Sequence, residues 1–538
     1  MLKSSWLHGI GSSSMSSRLS VVIIFLFSLI ISNPSNSNTL NITSNASFAQ
    51  PDFSNDFGDP NDYISASLIN TGGKNFSPDP NEQIDLYSGT LRLHYVDFSV
   101  EVAPGLKMEV KRTYNSGVYN RSNFETPGRV NLNNNILPSW NYGVTYILMP
   151  TKGICREDGN KCDPVLVRDD GVSEQLNAQI NKSNWFRTKS HYELDANTWT
   201  MYDRKGFKYS FGYTLAARGA TRYYLTKVTT PDGHWVQYDY NGIYITKITS
   251  SDPSKKIDII INDFILFKNF HYPRPEKVLF NGTEVVGYEH TWLNYMEGSV
   301  YQIYSGVLAL SEVNKANGEN LTYSYDLYDV RINKKTPLQD GFLWQLGKIS
   351  YSNNEQTQYK YKVDNELVYS TEVTNLRLLE RSHTDKSNNS NNGIWTFSES
   401  LTTHDGVKAK YVNVDGPYHT ERTLFSHNQD EFVWRAGQPL EHIVYTDKSA
   451  IKELQRESYV WDKYQFTNKP YYTSSAFTTI NKDLLGYKAR LLSKTITRYA
   501  PNGVDNYSVT QSNFDEYDNP QKNIQTSANG EAREITKE

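Results

Sequence analysis

The chain has 538 residues, 55 basic and 59 acidic, for a formal net charge of −4, and 13% of it is aromatic. That length suits about two to four domains and a substantial core, and the near-balance of charge excludes the basic footprint of a nucleic-acid binder. Tyrosine is abundant at 39, while methionine at 6 and cysteine at 2 are scarce. Long helical periodicity is absent from the body of the chain, so the composition points to an all-β protein. Tyrosine suits strands on a half-wet sheet, with its hydroxyl expected to reach solvent.

The first residues read as an address rather than a fold. Lys3 and Arg18 precede an apolar run, Leu19 to Ile31. It is too short for a comfortable membrane span and suits the apolar region of a secretory signal. A Ser/Asn-rich stretch follows, and Ser47-Phe48-Ala49 offers small residues at a cleavage site. Cleavage nearer Ser32, or retention as an uncleaved anchor, stays open. Residues 1–49 are therefore read as signal peptide or anchor, with export expected and membrane attachment only for the uncleaved form. Residues 50–80, rich in Asp, Asn, Pro and Gly, read as a linker. Asp52, Asp56, Asp59 and Asp62 are oxygen ligands of the kind calcium takes, but a solvated, flexible linker is the preferred reading.

Residues 81–215 read as an N-terminal β-sandwich-like domain. Leu106, Met108 and Val110 alternate with charged residues, the mark of a half-buried strand. Short strands follow at Tyr142–Leu148, Val165–Arg168, Thr198–Tyr202 and Phe207–Phe211, separated by turn residues such as Asp170-Gly171 and Lys205-Gly206. Cys155 and Cys162 flank Asp158-Gly159. In an exported chain they read as a disulfide closing a hairpin tip, or else as two unpaired loop thiols.

From residue 216 to 538 a phrase recurs. One copy runs from Leu310 and Val313 through Asn317-Gly318 to Tyr323, Tyr325 and Asp326. A second runs from Leu225 and Val228 through Asp232-Gly233 to Tyr238 and Tyr240. A third runs from Leu346 and Ile349 through Asn353 to Tyr359 and Tyr361. Weaker copies hold Val278, Asn281-Gly282 and Tyr288, and Ile496, Asn502-Gly503 and Tyr507. Leu321, Tyr323 and Tyr325 alternate with Thr322 and Ser324, so each copy carries a strand with one packed and one wet face. Asx-Gly between such runs signals a tight hairpin, because those turns need positive φ. A lone hairpin is marginal in water, whereas stacked ones bury a continuous stripe. A spiralling antiparallel sheet of stacked hairpins is expected. The pattern stops at Glu538 within a unit, which gives the expectation of an incomplete array or of partner strands on another polypeptide.

These residues resemble the Rhs/YD-repeat family of bacterial surface and toxin-associated proteins. Asn317-Gly318 with Tyr323-Ser324-Tyr325-Asp326 is similar to the family's Gly, Tyr-x-Tyr-Asp phrase, although the Gly-Arg-Leu that usually follows is missing. Leu86–Ser116 is similar to the segment that opens the N-terminal region of such proteins. Phe514–Pro520 is similar to their Tyr-Asp-x-Tyr-Gly-Asn-Pro phrase, with Phe514 and Asp518 substituted. The resemblance implies a scaffold: a β-shell that encloses or presents a toxin, with further repeat segments or a toxin domain as partner. The family's C-terminal core signature does not occur here.

Chemistry is harder to find. The 11 histidines form no H-E-x-x-H pair, and His404-Asp405 and Asp415 with His419 are the nearest to a cluster. There is no G-x-S-x-G elbow and no phosphate-binding G-x-x-x-x-G-K-[ST] loop. No catalytic, cofactor or metal residue is nominated, and a non-enzymatic role is expected. The competing role is a surface adhesin-like module that grips a carbohydrate or protein ligand with exposed Tyr and Asn faces.

Overall fold

The computed structural model describes residues 75–76, 79–116, 135–136, 140–150, 154–156, 164–169, 173–179, 182–188, 191–217, 220–267, 270–294, 306–329, 342–368, 371–385, 393–427, 437–446, 452–465, 470–472, 487–500, 503–514, 520–527 and 530–536. Every regular element among them is a strand, as the composition predicts. The signal or anchor segment, most of the linker and Cys162 lie outside the described residues, as does Asn502. Cys155 falls on the short strand Ile154–Arg156, which pairs with Pro470–Tyr472.

Two sheets matter for function. The first is antiparallel, in the spatial order Asn75–Phe76, Glu82–Asp85, Leu91–Ala103, Leu106–Asn115, Trp140–Tyr142, Asn135–Ile136. Its alternation is visible in the sequence: Leu106, Met108 and Val110 are buried and Lys107 is exposed. The second sheet begins with Tyr146–Pro150, which pairs on one side with Val165–Val167 and on the other with Ala220–Thr229. Between those two partners the chain passes through successive antiparallel neighbours, so this part of the sheet returns on itself. From Ala220–Thr229 onward, strand after strand pairs with the next through Pro439–Tyr445 to Glu453–Gln465, which passes over Pro470–Tyr472 to pair with Tyr487–Ala500, and the order then runs on to Ala532–Thr536. Backbone pairing therefore joins residues on both sides of position 215 in one sheet.

The recurring phrase has a specific backbone cause. In a regular strand, residues three apart face opposite sides. Leu310 and Val313 are nevertheless both buried. The reason is a β-bulge: Glu289 pairs Glu312 and His290 pairs Leu310, leaving Ser311 as the extra residue. The same shift places Thr226 between Leu225 and Lys227, Gly347 between Leu346 and Lys348, and Leu379 between Leu378 and Glu380. In the weaker copy Pro275 takes the leucine position, with Glu276 as the extra residue before Lys277-Val278. Leu-x-x-Val is thus the signature of one bulge per unit, and the bulge returns both apolar residues to the packed face.

The turns behave in two ways. Asn281-Gly282 has both residues at positive φ, 51° and 84°, the two-residue hairpin turn that Asx-Gly predicts. At Asn317-Gly318 and Asp232-Gly233 only the glycine is left-handed, at 87° and 93°. Gly318 N–H bonds Lys315 C=O at 2.9 Å, and Gly233 N–H bonds Thr230 C=O at 3.1 Å. The third copy lacks glycine, and Asn354 fills the left-handed position at φ 69°. Asparagine tolerates that region better than other L-residues do.

Candidate functional site: a seam between the two sheets

The repeat strands carry alternating side chains, and the bulges decide which of them point inward. Leu321, Tyr323 and Tyr325 are buried while Thr322, Ser324 and Asp326 are exposed. Tyr359 and Tyr361 are buried, and Lys360 and Lys362 are exposed. Tyr238 and Tyr240 are half-buried. The expectation that tyrosine hydroxyls reach solvent is corrected here. Tyr288, Tyr323, Tyr325, Tyr359 and Tyr361 are all buried, because the first sheet packs over them, and it offers polar partners to Tyr288 and Tyr325.

One partner is internal to the repeat. Tyr325 Oη donates to Leu310 C=O at 2.6 Å, and Tyr240 Oη donates to Leu225 C=O at 2.6 Å. In both units the second tyrosine of the phrase thus satisfies the carbonyl of the leucine that opens the bulge, fifteen residues earlier in each case. Asp326, which follows Tyr325 in the phrase, lies over the next bulge: a Cβ on Gly347 would meet its carboxylate at 2.3 Å. Although the residue is exposed, partial desolvation of its carboxyl against the bulge raises it above its ordinary value.

The other partners come from the first sheet. Trp140 Nε1–H donates to Tyr325 Oη at 2.9 Å. Tyr288 Oη donates to Asp97 Oδ2 at 2.9 Å, and Arg112 Nε donates to the same carboxylate oxygen at 2.8 Å. The Asp97 and Arg112 side chains have no solvent exposure. The guanidinium lies over the rings of Tyr95 at 4.5 Å, Trp140 at 4.8 Å and Tyr323 at 5.2 Å. Burial opposes the Arg112 charge, but Asp97 and the surrounding tyrosines outweigh it and push the guanidinium pKa up. Tyr114 Oη donates to Gln345 Oε1 and accepts from Leu346 N–H at 3.1 Å.

A second ionic contact lies further along. Arg381 Nε donates to both oxygens of Glu82, at 2.9 and 3.0 Å. Burial outweighs the attraction of Arg381 and pushes the Glu82 carboxyl up to about 7. Beside it, Arg377 and Lys410 each donate to Tyr87 C=O, at 2.7 and 2.9 Å. His290 marks the opposite flank. Its Nδ1 accepts from Arg274 at 2.8 Å, and its Nε2 lies 3.4 Å from Tyr142 Oη. Burial, reinforced by Arg274, pulls this imidazole down to about 3.

Asp97, Arg112, Glu82 and Arg381 are absent from the sequence-nominated residues, yet their signal was available. Asp97 shares the apolar parity of Leu91, Leu93 and Tyr95, and Arg112 that of Leu106, Met108 and Val110. Arg381 occupies the valine position of the phrase, three residues after Leu378. A charge on the packed parity of an alternating strand requires a buried partner.

What the seam does chemically is hold. The nearest approach to a catalytic arrangement is elsewhere, where Thr423 Oγ1 lies 2.9 Å from His442 Nδ1 and His442 Nε2 lies 3.6 Å from Glu421. Thr423 is fully buried, so no substrate reaches that hydroxyl. Among the described residues, no group of three or more His, Cys, Asp or Glu side chains is placed to hold a metal. Also among them, no helix is long and apolar enough to cross a membrane.

No family model matches the chain, and no curated protein matches it. Among solved structures, the chain is similar to the TcdB2-TccC3 crystal structure at 8% identity and a TM-score of 0.39, over 85% of this chain and 45% of that one. It is similar to the N-terminal domain of the effector SpvB from Salmonella typhimurium strain LT2 at 12% identity and a TM-score of 0.21, over 54% of this chain and 99% of that one. It is also similar to the Photorhabdus luminescens Tc holotoxin pore at 11% identity and a TM-score of 0.20, over 88% of this chain and 27% of that one. The chain thus spans less than half the length of the TcdB2-TccC3 chain.

Proposed function

We propose that this chain is an exported, non-enzymatic YD-repeat scaffold, forming part of a β-shell that encloses or presents a toxin or other protein partner. The observation that carries the reading is the use made of the repeat. Its leucine and valine positions, its bulges and its paired tyrosines are spent on packing one sheet against another, with the Tyr325 and Tyr240 hydroxyls bonded inward. A binding module of the adhesin kind needs those aromatic faces free, and in Tyr323, Tyr325, Tyr359 and Tyr361 they are covered.

The test is to purify the full-length protein from its native producer and treat it with protease. A scaffold protects a second polypeptide, or a further segment of its own, that becomes cleavable once the sheets are denatured. A protein with no protected companion that instead binds an immobilised glycan overturns the scaffold reading in favour of the adhesin. Secretion is checked in the same preparation, by whether the N-terminal segment has been removed from the exported form.

A further inference from the structure

A row of ionisable side chains crosses the second sheet near residue 442, away from the seam. His419 Nε2 lies 3.0 Å from Glu421 Oε1. On the neighbouring strand Pro439–Tyr445, His442 Nε2 lies 3.6 Å from Glu421 Oε2, and its Nδ1 lies 2.9 Å from Thr423 Oγ1. His442 also pairs directly with Glu457 on the strand Glu453–Gln465. Glu457 in turn binds Lys494 at 3.2 Å, on the strand Tyr487–Ala500. Glu421, Thr423 and Phe425 alternate along one strand, so this row shares a face with Phe425, whose ring meets Tyr87 of the first sheet at 5.6 Å.

The order across the strands is His419, Glu421, His442, Glu457, Lys494. With neutral imidazoles the row holds two carboxylates and one ammonium. With His442 protonated, the row alternates in sign from Glu421 through His442 and Glu457 to Lys494. The His442 side chain is only 4% exposed, so a proton there is held only if its neighbours offset the loss of hydration. Two carboxylates, one on each flanking strand, are placed to do so.

The other charges nearby are already engaged. On the same face Lys410 lies 3.5 Å from Glu399 and donates to Tyr87 C=O, while Gln455 and Tyr459 donate to Glu457. On the opposite face Arg456 binds Glu441 and Glu453, Arg422 donates to Asn413, and Asp415 accepts from Thr420.

We infer that this row is a proton-operated clasp: protonation of His442, between Glu421 and Glu457, ties the strand Pro439–Tyr445 to both of its neighbours, and loss of the proton slackens that join. Protonation creates the opposite-charge contacts, so the clasp is engaged in acid and slack above the ordinary histidine range, near pH ~6.5. It sits where burial ends, since among the described residues none beyond Glu457 is buried. Slackening it would free the later strands from the earlier ones without disturbing the seam.

The experiment is amide hydrogen exchange of the full-length protein at about pH 5.5 and about pH 7.5, corrected for the intrinsic rate. Peptides from Pro439–Tyr445 and Glu453–Gln465 are expected to be about tenfold more protected in acid. His442→Gln is expected to remove that rise, while peptides from Gly306–Asp329 respond as in the wild type. Glu421→Gln provides the second arm: it keeps the shape and the histidine but removes a carboxylate, and it should also flatten the response. The inference is overturned if wild-type protection is equal at the two pH values, or if a folded variant of either kind keeps the full acid response.

Discussion

Two stretches of the second sheet share a backbone plan and differ in what covers them. Between Ala220 and Tyr445 the strands carry bulges, inward tyrosines and a layer of first-sheet side chains, and leucines such as Leu310, Leu321 and Leu346 are wholly buried. From Glu453 onward the plan continues: Val460 pairs Ser493 and Trp461 pairs Leu491, which leaves Leu492 as the extra residue of one more bulge. Yet on the face of the buried Glu457, Leu491 and Ile496 are only half-buried and Tyr507 is 38% exposed. Strand pairing satisfies backbone groups but buries little apolar surface by itself, and a sheet needs a second layer to form a core. The cover, not the repeat, makes the difference.

The largest contrast is expected from charge. Replacing Asp97 with Ala leaves Arg112 buried without its carboxylate, and should cost about 3–5 kcal/mol in urea unfolding. Replacing Glu534, which binds Lys522 at 2.8 Å on the uncovered strands and is 52% exposed, should leave the urea midpoint almost unchanged. Equal losses would break the comparison, since they would mean that the first sheet contributes no desolvated contact.

Acidity sharpens it further. The folded His290 pKa, near 3, lies below the ordinary histidine value of 6.5. Its contribution is therefore present above pH 6.5 and is lost as pH falls toward 3. Glu82 has the opposite sign: its folded value near 7 exceeds 4.5, so its contribution is present below 4.5 and is lost as pH rises through 7. Between 4.5 and 6.5 the two cancel, and below 4.5 only His290 acts. His290→Gln should unmask a decline with rising pH, at up to about 1.4 kcal/mol per unit. Glu82→Gln should unmask the reverse slope. Denaturant melts of both variants across this range test the assignment, and parallel curves would sink it.

Tyr325→Phe removes one hydroxyl and leaves both the Trp140 N–H and the Leu310 carbonyl without it. About 1–3 kcal/mol is expected from such orphaned groups. Tyr507, on the uncovered strands and 38% exposed, should tolerate the same change at under about 0.5 kcal/mol.

These contrasts also mark what was legible in the sequence. Period-two alternation in Leu321–Tyr325 and Tyr359–Val363 reads directly as strands, because side-chain direction follows from backbone pleat alone. Positive φ at Gly233, Gly282 and Gly318 follows from Asx-Gly. The meaning of Leu-x-x-Val was not legible, since a three-residue spacing contradicts strand periodicity until the bulge at Ser311 is seen. The seam was half-legible: Asp97 and Arg112 stand on apolar parity, but nothing local pairs them with Tyr288 or Tyr323, far along the chain. Tyrosine hydroxyls looked solvent-bound for the same reason, because a covering sheet is a non-local fact.

The smallest effect should be indifferent to cover. Gly318 and Gly530 sit at φ 87° and 84°, and a Cβ on either would meet nothing within 4 Å. Only backbone strain opposes alanine there, and that strain is local, so each substitution should cost about 1 kcal/mol. Gly318 turns a covered hairpin and Gly530 an uncovered one. Amide exchange in the strands flanking each turn should therefore quicken by a similar factor, about five- to tenfold. Asn354→Gly, at φ 69° in the copy without glycine, should change little, because asparagine already adopts that conformation at modest cost. If Gly318→Ala proved several-fold costlier than Gly530→Ala, the turns would be coupled to the seam. The division between a locally set backbone plan and a separately supplied cover would then fail.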